Sequence, residues 1–202
     1  MCNVSVITIF KRRHKKVKEC LNSLINQTLS NTEIICIYKE ENSDIDRFVK
    51  ETQEKYKHIK IIYKTKAQDV TAKNKALEEA QGKYIIVMNG DMCLEKTALE
   101  KLYNAQEKNG TDIAICGFNI IDINTNQLIH EGLNNKFKEV EEVNGKNENF
   151  AYLNLDGGNK LIKKELLEKT RIKFPVGLRY EDVEFFYKLV PYINSISIVK
   201  KP

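Results

Sequence analysis

The sequence predicts an α/β fold: a mostly parallel central sheet with helices on both faces, followed by a small C-terminal part of a β-hairpin and helices. Two observations support this prediction. Up to residue 118, short apolar segments alternate with segments whose apolar residues recur at helical spacing. The segment 84–88 is apolar throughout, as expected of a strand that is buried on both faces of a parallel sheet. Short connections between such units imply right-handed crossovers.

The periodicity assigns each element in order along the chain. The predicted strands are 4–10, 33–38, 58–63, 84–88 and 112–118, and the predicted helices cover about 17–25, 45–56, 70–80 and 96–108. After residue 118 the pattern changes, and residues 120–123 and 127–130 flank an Asn-Thr-Asn turn that predicts a β-hairpin. The polar stretch 134–149 is expected to be an exposed loop or flap. Residues 159–167 are expected to lead into a helix, and 181–190 to form another.

Length and composition indicate one globular domain over residues 1–202. Apolar residues make up 42% of the chain and charged residues 30%, as is usual for a globular protein. The sequence contains no run of about 18 apolar residues, so no membrane-spanning helix is predicted. The N-terminus enters a strand at once and has no signal-peptide pattern. The five cysteines are scattered and form no C-x-x-C pair, which argues against a zinc site or a disulfide framework. A cytoplasmic location is therefore expected.

The net charge of +5 is most concentrated in the basic run 11–16. This run fits a solvated loop and first helical turn, or a segment that attracts a diphosphate or anionic lipid headgroups at the inner face of the membrane. Aromatic residues do not interleave with it, and acidic residues are spread along most of the chain, so nucleic acid is not expected as a partner.

The sequence lacks several common catalytic signatures. A G-x-G-x-x-G fingerprint, a P-loop, a Ser-His-Asp pattern and an H-E-x-x-H motif are all absent. What remains is a set of acidic residues at predicted strand and loop ends. Asp91 follows the strand 84–88 directly, at the edge where α/β proteins bind ligands. A carboxylate there suits a hard cation such as Mg²⁺ or Mn²⁺.

An ordered series of segments along nearly the whole chain resembles a bacterial family 2 glycosyltransferase with the GT-A fold, of the kind that builds capsule or other surface polysaccharide. The segments are Val4-Ser5-Val6-Ile7, Glu19-Cys20-Leu21-Asn22-Ser23-Leu24 with Asn26-Gln27-Thr28, Glu33-Ile34-Ile35-Cys36-Ile37, Lys73-Asn74-Lys75-Ala76-Leu77, Gly82-Lys83-Tyr84-Ile85, and Phe174-Pro175 with Arg179-Tyr180-Glu181-Asp182-Val183. The resemblance implies a nucleotide-sugar-binding half over 1–118, an acceptor-binding half over 119–202, and a C-terminus that is short compared with the family.

The resemblance also implies a donor site for a nucleotide-diphosphate sugar. Its implied residues lie at the ends of the first, second and fourth strands and on the third helix: Ile9, Phe10, Lys11, Tyr38, Glu40, Lys73, Asn74, Asn89, Gly90 and Asp91. Asp91 would also bind the metal. The chain departs from the family pattern at Asn89, which stands where the family has the first carboxylate of an Asp-x-Asp motif, and at Met92, where another Asp is common.

On the acceptor side, the resemblance makes Asp182 the general base of an inverting transfer, with Glu181 as its neighbour. A carboxylate is suited to take the proton of the attacking hydroxyl. Without the resemblance, the better explanation of the same two residues is favourable negative charge at the start of a helix. The implied acceptor-binding residues are Gly158, Asn159, Lys160 and Tyr180, and Gly158 stands where the family commonly has Trp.

Two main hypotheses remain open at this point. The chain is an active, metal-dependent sugar transferase, or it is a catalytically inactive relative that serves as a binding or scaffold domain. The first is favoured by the retained residues Asp91, Lys73-Asn74 and Glu181-Asp182, and the second by the departures at Tyr38-Lys39, Asn89, Met92 and Gly158. A nucleotidyltransferase on a related sheet is disfavoured because its Gly-rich phosphate loop is missing.

Overall fold

The computed structural model describes residues 2–10, 14–39, 43–64, 69–122, 124–132, 140–144 and 158–200. In these ranges the strands are β1 Val4–Phe10, β2 Thr32–Lys39, β3 Ile59–Lys64, β4 Tyr84–Asn89, β5 Ile113–Cys116, β6 Phe118–Ile121, β7 Leu128–Gly132, β8 Val140–Asn144, β9 Lys160–Lys163 and β10 Ser195–Val199. The helices are α1 His14–Ile25, α2 Ser43–Lys55, α3 Asp69–Glu79, α4 Ala98–Asn109, α5 Lys164–Thr170 and α6 Glu181–Leu189, with a short 3-10 turn at Val190–Tyr192. None of these helices has the length and apolar character needed to cross a membrane.

Eight of the described strands form one sheet in the order β3-β2-β1-β4-β9-β5-β10-β8. Strands β9 and β8 run antiparallel to their neighbours, and the other neighbouring pairs are parallel. The remaining two strands, β6 and β7, form a separate hairpin, as predicted from the Asn-Thr-Asn turn. The prediction of an α/β fold with a mostly parallel sheet is confirmed.

Each face of the sheet is covered by its own helices, because successive side chains along a strand point to opposite faces. In β1, Ile7 and Ile9 join a buried cluster with residues of α3, α5 and α6. Val4, Val6 and Phe10 join a second cluster with residues of α1, α2 and α4. The prediction of helices on both faces is therefore confirmed.

The structure corrects the predictions in four places from residue 112 onward. Residues 140–144, predicted as part of a loop or flap, form β8 because they pair with the edge strand β10. Residues 160–163, expected only to lead into a helix, form β9 between β4 and β5. No strand was predicted at β10. The single strand expected at 112–118 is divided at Gly117, where a Cβ would lie 2.3 Å from the Lys200 carbonyl oxygen, so only glycine fits.

The amino ends of the strands are joined by a buried carboxylate, Glu33. It accepts hydrogen bonds from Ser5 Oγ and the Gln81 amide, both at 2.5 Å, and pairs with Lys60 Nζ at 2.5 Å. Burial acts to raise the pKa of the Glu33 carboxyl, but the hydrogen bonds from these three donors outweigh it and hold the pKa below its ordinary value. This end of the sheet is therefore a structural anchor, opposite the edge where the predicted site lies.

Candidate active site

The carboxyl ends of β1 and β4 bring four predicted donor-site residues together. Ile9 is paired with Asn89 across the two strands, and the Gly90 amide donates a hydrogen bond to the Ile9 carbonyl oxygen at 2.8 Å. A Cβ on Gly90 would lie 2.2 Å from Cδ1 of the buried Phe10, so the turn requires glycine for this close approach. The two strand ends thus form a tight junction at the carboxyl edge of the sheet, which is the edge where α/β proteins generally bind ligands.

Asp91 follows this junction and is exposed, so its carboxylate is open to solvent. Among the described residues, no group of three or more His, Cys, Asp or Glu side chains is arranged to hold a metal ion. Mg²⁺ is commonly held by one or two protein carboxylates together with waters and substrate phosphates. A lone, accessible Asp91 fits that pattern as one protein ligand, but it does not make a metal site by itself.

Tyr38 lies beside Phe10 at the end of β2, and its side chain is fully buried in the cluster that faces α1 and α2. Its hydroxyl donates a hydrogen bond to Asp46 Oδ1 on α2 at 2.8 Å. Hydrogen bonds from Lys50 and then Tyr38 lower the pKa of the Asp46 carboxyl. The tyrosine predicted to contact the donor therefore ties β2 to α2. Two other predicted donor residues, Lys11 and Glu40, lie outside the described residues.

Lys73 on α3 connects the two predicted halves of the site. Its ammonium group lies 2.7 Å from Asp182 Oδ1 and 2.9 Å from Glu181 Oε1, across 109 and 108 residues of sequence. The lysine side chain is only 1% exposed, whereas Glu181 and Asp182 keep 15% and 25% of their side-chain surface exposed. The predicted donor-site lysine and the predicted base are thus directly paired, and the carboxylates remain accessible from solvent.

Asn74, the next residue on α3, uses its side-chain amide on the backbone of Phe174. Its Nδ2 donates to the Phe174 carbonyl oxygen and its Oδ1 accepts from the Phe174 amide, both at 2.9 Å. The Phe174 ring in turn lies under the Lys73 ammonium, 4.9 Å from nitrogen to ring centre. Lys73 and Asn74 therefore hold the segment that leads into α6 from two sides.

Two of the departures from the family pattern, Met92 and Gly158, lie against each other. Gly158 has φ +103°, a conformation that side chains rarely adopt, and a Cβ there would lie 2.5 Å from both Sδ and Cε of Met92. The Met92 amide donates to the Asn89 carbonyl oxygen at 3.1 Å, which places this residue in the turn after β4. Methionine fills irregular gaps well, and here it occupies the space beside residue 158.

The next two residues, Asn159 and Lys160, are buried. Asn159 Nδ2 donates to the Cys116 carbonyl oxygen at 2.8 Å, and its Oδ1 accepts from Lys160 Nζ at 2.7 Å. The Lys160 ammonium lies 4.9 Å from the ring centre of Phe186 on α6. The structure places this predicted acceptor pair in the protein interior, where it links β9 to β5 and to α6.

Tyr180, the fourth predicted acceptor residue, is the opposite case. It immediately precedes α6, has a left-handed backbone conformation at φ 59°, and is 81% exposed. A non-glycine residue in this conformation is uncommon and is found most often at turns and functional sites. Its exposed ring lies next in sequence to Glu181–Asp182 and is free to contact a ligand.

An aromatic cluster supports the acid pair and was not predicted. Phe174 stacks on Phe185 at 4.0 Å, and Phe185 meets Phe186 edge to face at 5.4 Å. Buried lysines cap both ends, with Lys73 over Phe174 and Lys160 over Phe186. A sequence signal for it exists, because Phe185 and Phe186 lie within one helical turn of Asp182. A chain of contacts therefore begins at Met92 in the turn after β4 and passes through Gly158 and its neighbours Asn159 and Lys160 to the aromatic cluster. From there it continues through Lys73 to the acid pair.

Comparison with known proteins gives a consistent result. A cholesterol galactosyltransferase of Borreliella burgdorferi is 29% identical over an alignment of 209 residues, gaps included. The alignment covers 97% of this chain and 57% of that protein. A poly(ribitol-phosphate) beta-glucosyltransferase of Bacillus spizizenii is 27% identical over 188 residues, which cover 91% of this chain and 28% of that protein. The chain thus spans little more than half, or less, of the length of these relatives.

Among solved structures, S. aureus TarS 1-349 in complex with UDP superposes with a TM-score of 0.81 at 23% identity, covering 98% of this chain and 57% of that chain. This likeness confirms the predicted GT-A fold. The family model described as Glycosyl transferase family 2 matches residues 5–171. This match extends over more than half of the chain, and the chain therefore belongs to glycosyl transferase family 2.

Proposed function

We propose that this chain transfers a sugar from a nucleoside-diphosphate sugar to a hydroxyl group of a glycan or lipid-linked acceptor in surface polysaccharide synthesis. The observation that carries the proposal is the accessible pair Glu181–Asp182, held at the start of α6 by the buried Lys73. By strand alternation, Asn89 continues the row of Ile85 and Val87, which belong to the same buried cluster as α6. The donor turn and the acid pair therefore belong to one side of the sheet.

The acid pair supports a single-displacement transfer with inversion. Asp182 Oδ1 is engaged by Lys73, and within the described residues no contact occupies its second oxygen. That oxygen takes the proton of the acceptor hydroxyl as the hydroxyl oxygen bonds to the anomeric carbon. The bond from this carbon to the diphosphate oxygen breaks with its electron pair, and the nucleoside diphosphate leaves from the opposite face. A positioned base of this kind contributes about 10²- to 10⁴-fold to the rate.

The donor side is proposed to consist of the strand-end junction. The buried Ile9 and Phe10, whose side chains lie on opposite faces of the sheet, hold the Gly90 turn in place. Asn89 offers both a donor and an acceptor to a ribose hydroxyl, and the turn presents Asp91 to solvent. Asp91 would hold Mg²⁺ or Mn²⁺ together with the diphosphate, and the cation would offset the charge that builds on the leaving group. Asn89 adds no negative charge, so the cation is expected to bind weakly until the diphosphate supplies further oxygen ligands.

Calorimetry with UDP, GDP and their common sugar conjugates, with and without Mn²⁺, tests the donor site. We expect one nucleoside diphosphate to bind only in the presence of Mn²⁺. This metal-dependent binding should disappear in Asp91→Ala. Glu95→Ala is the matched control, because Glu95 is an exposed carboxylate in the same loop. Absence of binding across the whole panel, in a folded protein, contradicts the proposal.

Specific observations also favour the second candidate function, a catalytically inactive binding domain. The Tyr38 hydroxyl is engaged by Asp46, and Met92 fills the space beside Gly158 where the family commonly has an aromatic side chain. Such a domain binds a nucleotide or a partner without turnover. Detection of nucleoside diphosphate release from any donor in the panel rules it out.

Several finer expectations stay predictions. They are the cytoplasmic location, association with the inner face of the membrane, the division into a donor half over 1–118 and an acceptor half over 119–202, and a capsule-type product. The basic run 11–16, on which membrane association depends, lies mostly outside the described side chains.

A further inference from the structure

Lys73 is a buried charge that contacts two carboxylates and an aromatic ring. An ammonium group has three N–H donors. Two are directed to Glu181 Oε1 and Asp182 Oδ1, and the group also lies over the face of the Phe174 ring. Removing an ammonium from water is costly unless opposite charge and hydrogen bonds replace the water. The two carboxylates and the ring make that replacement here.

We propose that Lys73 and Asn74 are positioning residues that fix the general base, rather than ligands of the donor diphosphate. The inference rests on the proposed function, because it assumes that Asp182 accepts the proton of the acceptor. Lys73 holds one oxygen of each carboxylate, and Asn74 holds the backbone of the segment that leads into α6 through two hydrogen bonds to Phe174. Together they set where α6 starts and how the Asp182 carboxylate is turned.

The geometry argues against a phosphate role for this lysine. Its side chain is 1% exposed, so a diphosphate cannot reach the ammonium group in this conformation. To meet a phosphate, the group would have to give up two charged hydrogen bonds and the Phe174 ring contact. The two carboxylates would then be left together without their shared cation, and like charges at such short range repel.

The backbone at the start of α6 shows why positioning is needed. Tyr180 adopts a left-handed conformation and has no side-chain capping hydrogen bond, so the helix start is not fixed by a conventional cap. The contacts of Lys73 and Asn74 on α3 hold this helix start in place. An active-site group displaced by about 1 Å can lose about 10²-fold in rate, so loosening this junction should affect turnover more than donor affinity.

The test compares Lys73→Met, Lys73→Arg and Asn74→Ala with the wild-type protein. UDP and GDP affinities are measured by calorimetry with Mn²⁺, and kcat and KM are measured as nucleoside diphosphate release from whichever sugar conjugate gives the wild type its highest rate. Lys75→Met is the matched control, since Lys75 lies on the same helix and is exposed. Circular dichroism and thermal melting establish that each variant is folded.

For a positioning role we expect Lys73→Met to lower kcat by about 10²-fold, with KM for the donor and nucleotide affinity unchanged. Lys73→Arg should recover most of kcat because a guanidinium can pair with both carboxylates. Asn74→Ala should lower kcat in the same way, and Lys75→Met should match the wild type. A Lys73→Met protein that loses nucleotide affinity in step with its rate overturns the positioning role alone. A wild-type protein that binds no nucleotide and turns over no donor overturns the proposed function, and this role with it.

Discussion

The buried ion triad of Lys73, Glu181 and Asp182 makes a quantitative prediction about stability. Lys73→Met removes two charge-assisted hydrogen bonds, and a hydrogen bond to a charged group typically contributes about 1.5–3 kcal/mol. The carboxylates keep 15% and 25% of their surface exposed, so water compensates for part of this loss. We therefore expect the free energy of unfolding to fall by about 2–4 kcal/mol, which is near the lower end of the range for breaking a buried pair.

The double-mutant cycle of Lys73→Met with Asp182→Asn isolates the interaction itself. Asp182→Asn leaves Glu181 as the counter-ion and an amide oxygen that still accepts a hydrogen bond, so its cost is expected to be about 1–2 kcal/mol. Since the two side chains are in contact, the costs should not add, and the coupling energy should be about 1–2 kcal/mol. Urea unfolding followed by circular dichroism gives each value, provided that the m-value is unchanged.

A second ion pair on α3 provides the matched control. Lys75 Nζ lies 3.6 Å from Glu79 Oε1, and the two side chains are 62% and 46% exposed. Exposed pairs of this kind contribute about 0–1 kcal/mol. The cycle of Lys75→Met with Glu79→Gln should therefore give a coupling energy of a few tenths of a kcal/mol. Equal coupling energies in the two cycles would refute the argument that burial makes the Lys73 pair strong.

Three further predictions concern stability at other points of the fold. Gly90→Ala should lower the free energy of unfolding by about 1–3 kcal/mol in urea, because the added Cβ would lie 2.2 Å from Phe10 Cδ1. Gly158→Ala should lower the free energy of unfolding by a similar amount, about 1–3 kcal/mol. Adding Met92→Ala should restore only part of that stability, because it removes the clash with Met92 but leaves the backbone strain at residue 158. Full restoration would show that the clash alone matters. Glu33→Gln should make the free energy of unfolding depend less on pH in the acid range. The pKa of Glu33 is lower in the folded protein than its ordinary value of 4.5, so this carboxylate stabilises the fold above pH 4.5 and the stabilisation is lost as the pH falls through the folded-state pKa. An unchanged pH dependence in Glu33→Gln would contradict the anchor role.

The first part of the fold, up to residue 118, could be predicted well because its signals are local. The apolar runs of β1, β2 and β4 and the spacing of α1 to α4 each lie within a single segment. The junction of Ile9 with Gly90 also follows, since parallel strands bring their carboxyl ends to one edge of a sheet. The position of Asp91 at that edge therefore needed no tertiary information.

The C-terminal half resisted prediction because its elements depend on distant partners. Strand β9 is four residues long and carries the buried Lys160, which a strand pattern does not predict and which the Phe186 ring accommodates. Strand β8 exists by pairing with β10, whose residues lie 51 to 59 positions further along the chain. In β10 the alternation of serine and isoleucine along 195–199 was a usable signal, although both of its faces are buried.

The pairing of side chains within the candidate site could not be predicted from the sequence either. Lys73 carries a charge suited to a phosphate, and only the packing of α3 against α6 shows that two carboxylates take it. In the same way, Met92 and Gly158 are separate departures from the family pattern in sequence but one contact in space. Contacts across 66 to 109 residues depend on the whole fold and not on any local pattern.

The most direct test of the proposed chemistry is the rate of nucleoside diphosphate release by Asp182→Asn, measured beside its donor affinity. We expect the rate to fall by about 10²- to 10⁴-fold while calorimetry gives unchanged nucleotide binding. Glu184→Gln is the control, because Glu184 lies in the same helical turn and pairs only with Lys188 among the described ion pairs. It should retain the wild-type rate. Undiminished turnover in Asp182→Asn would contradict the assignment of Asp182 as the general base.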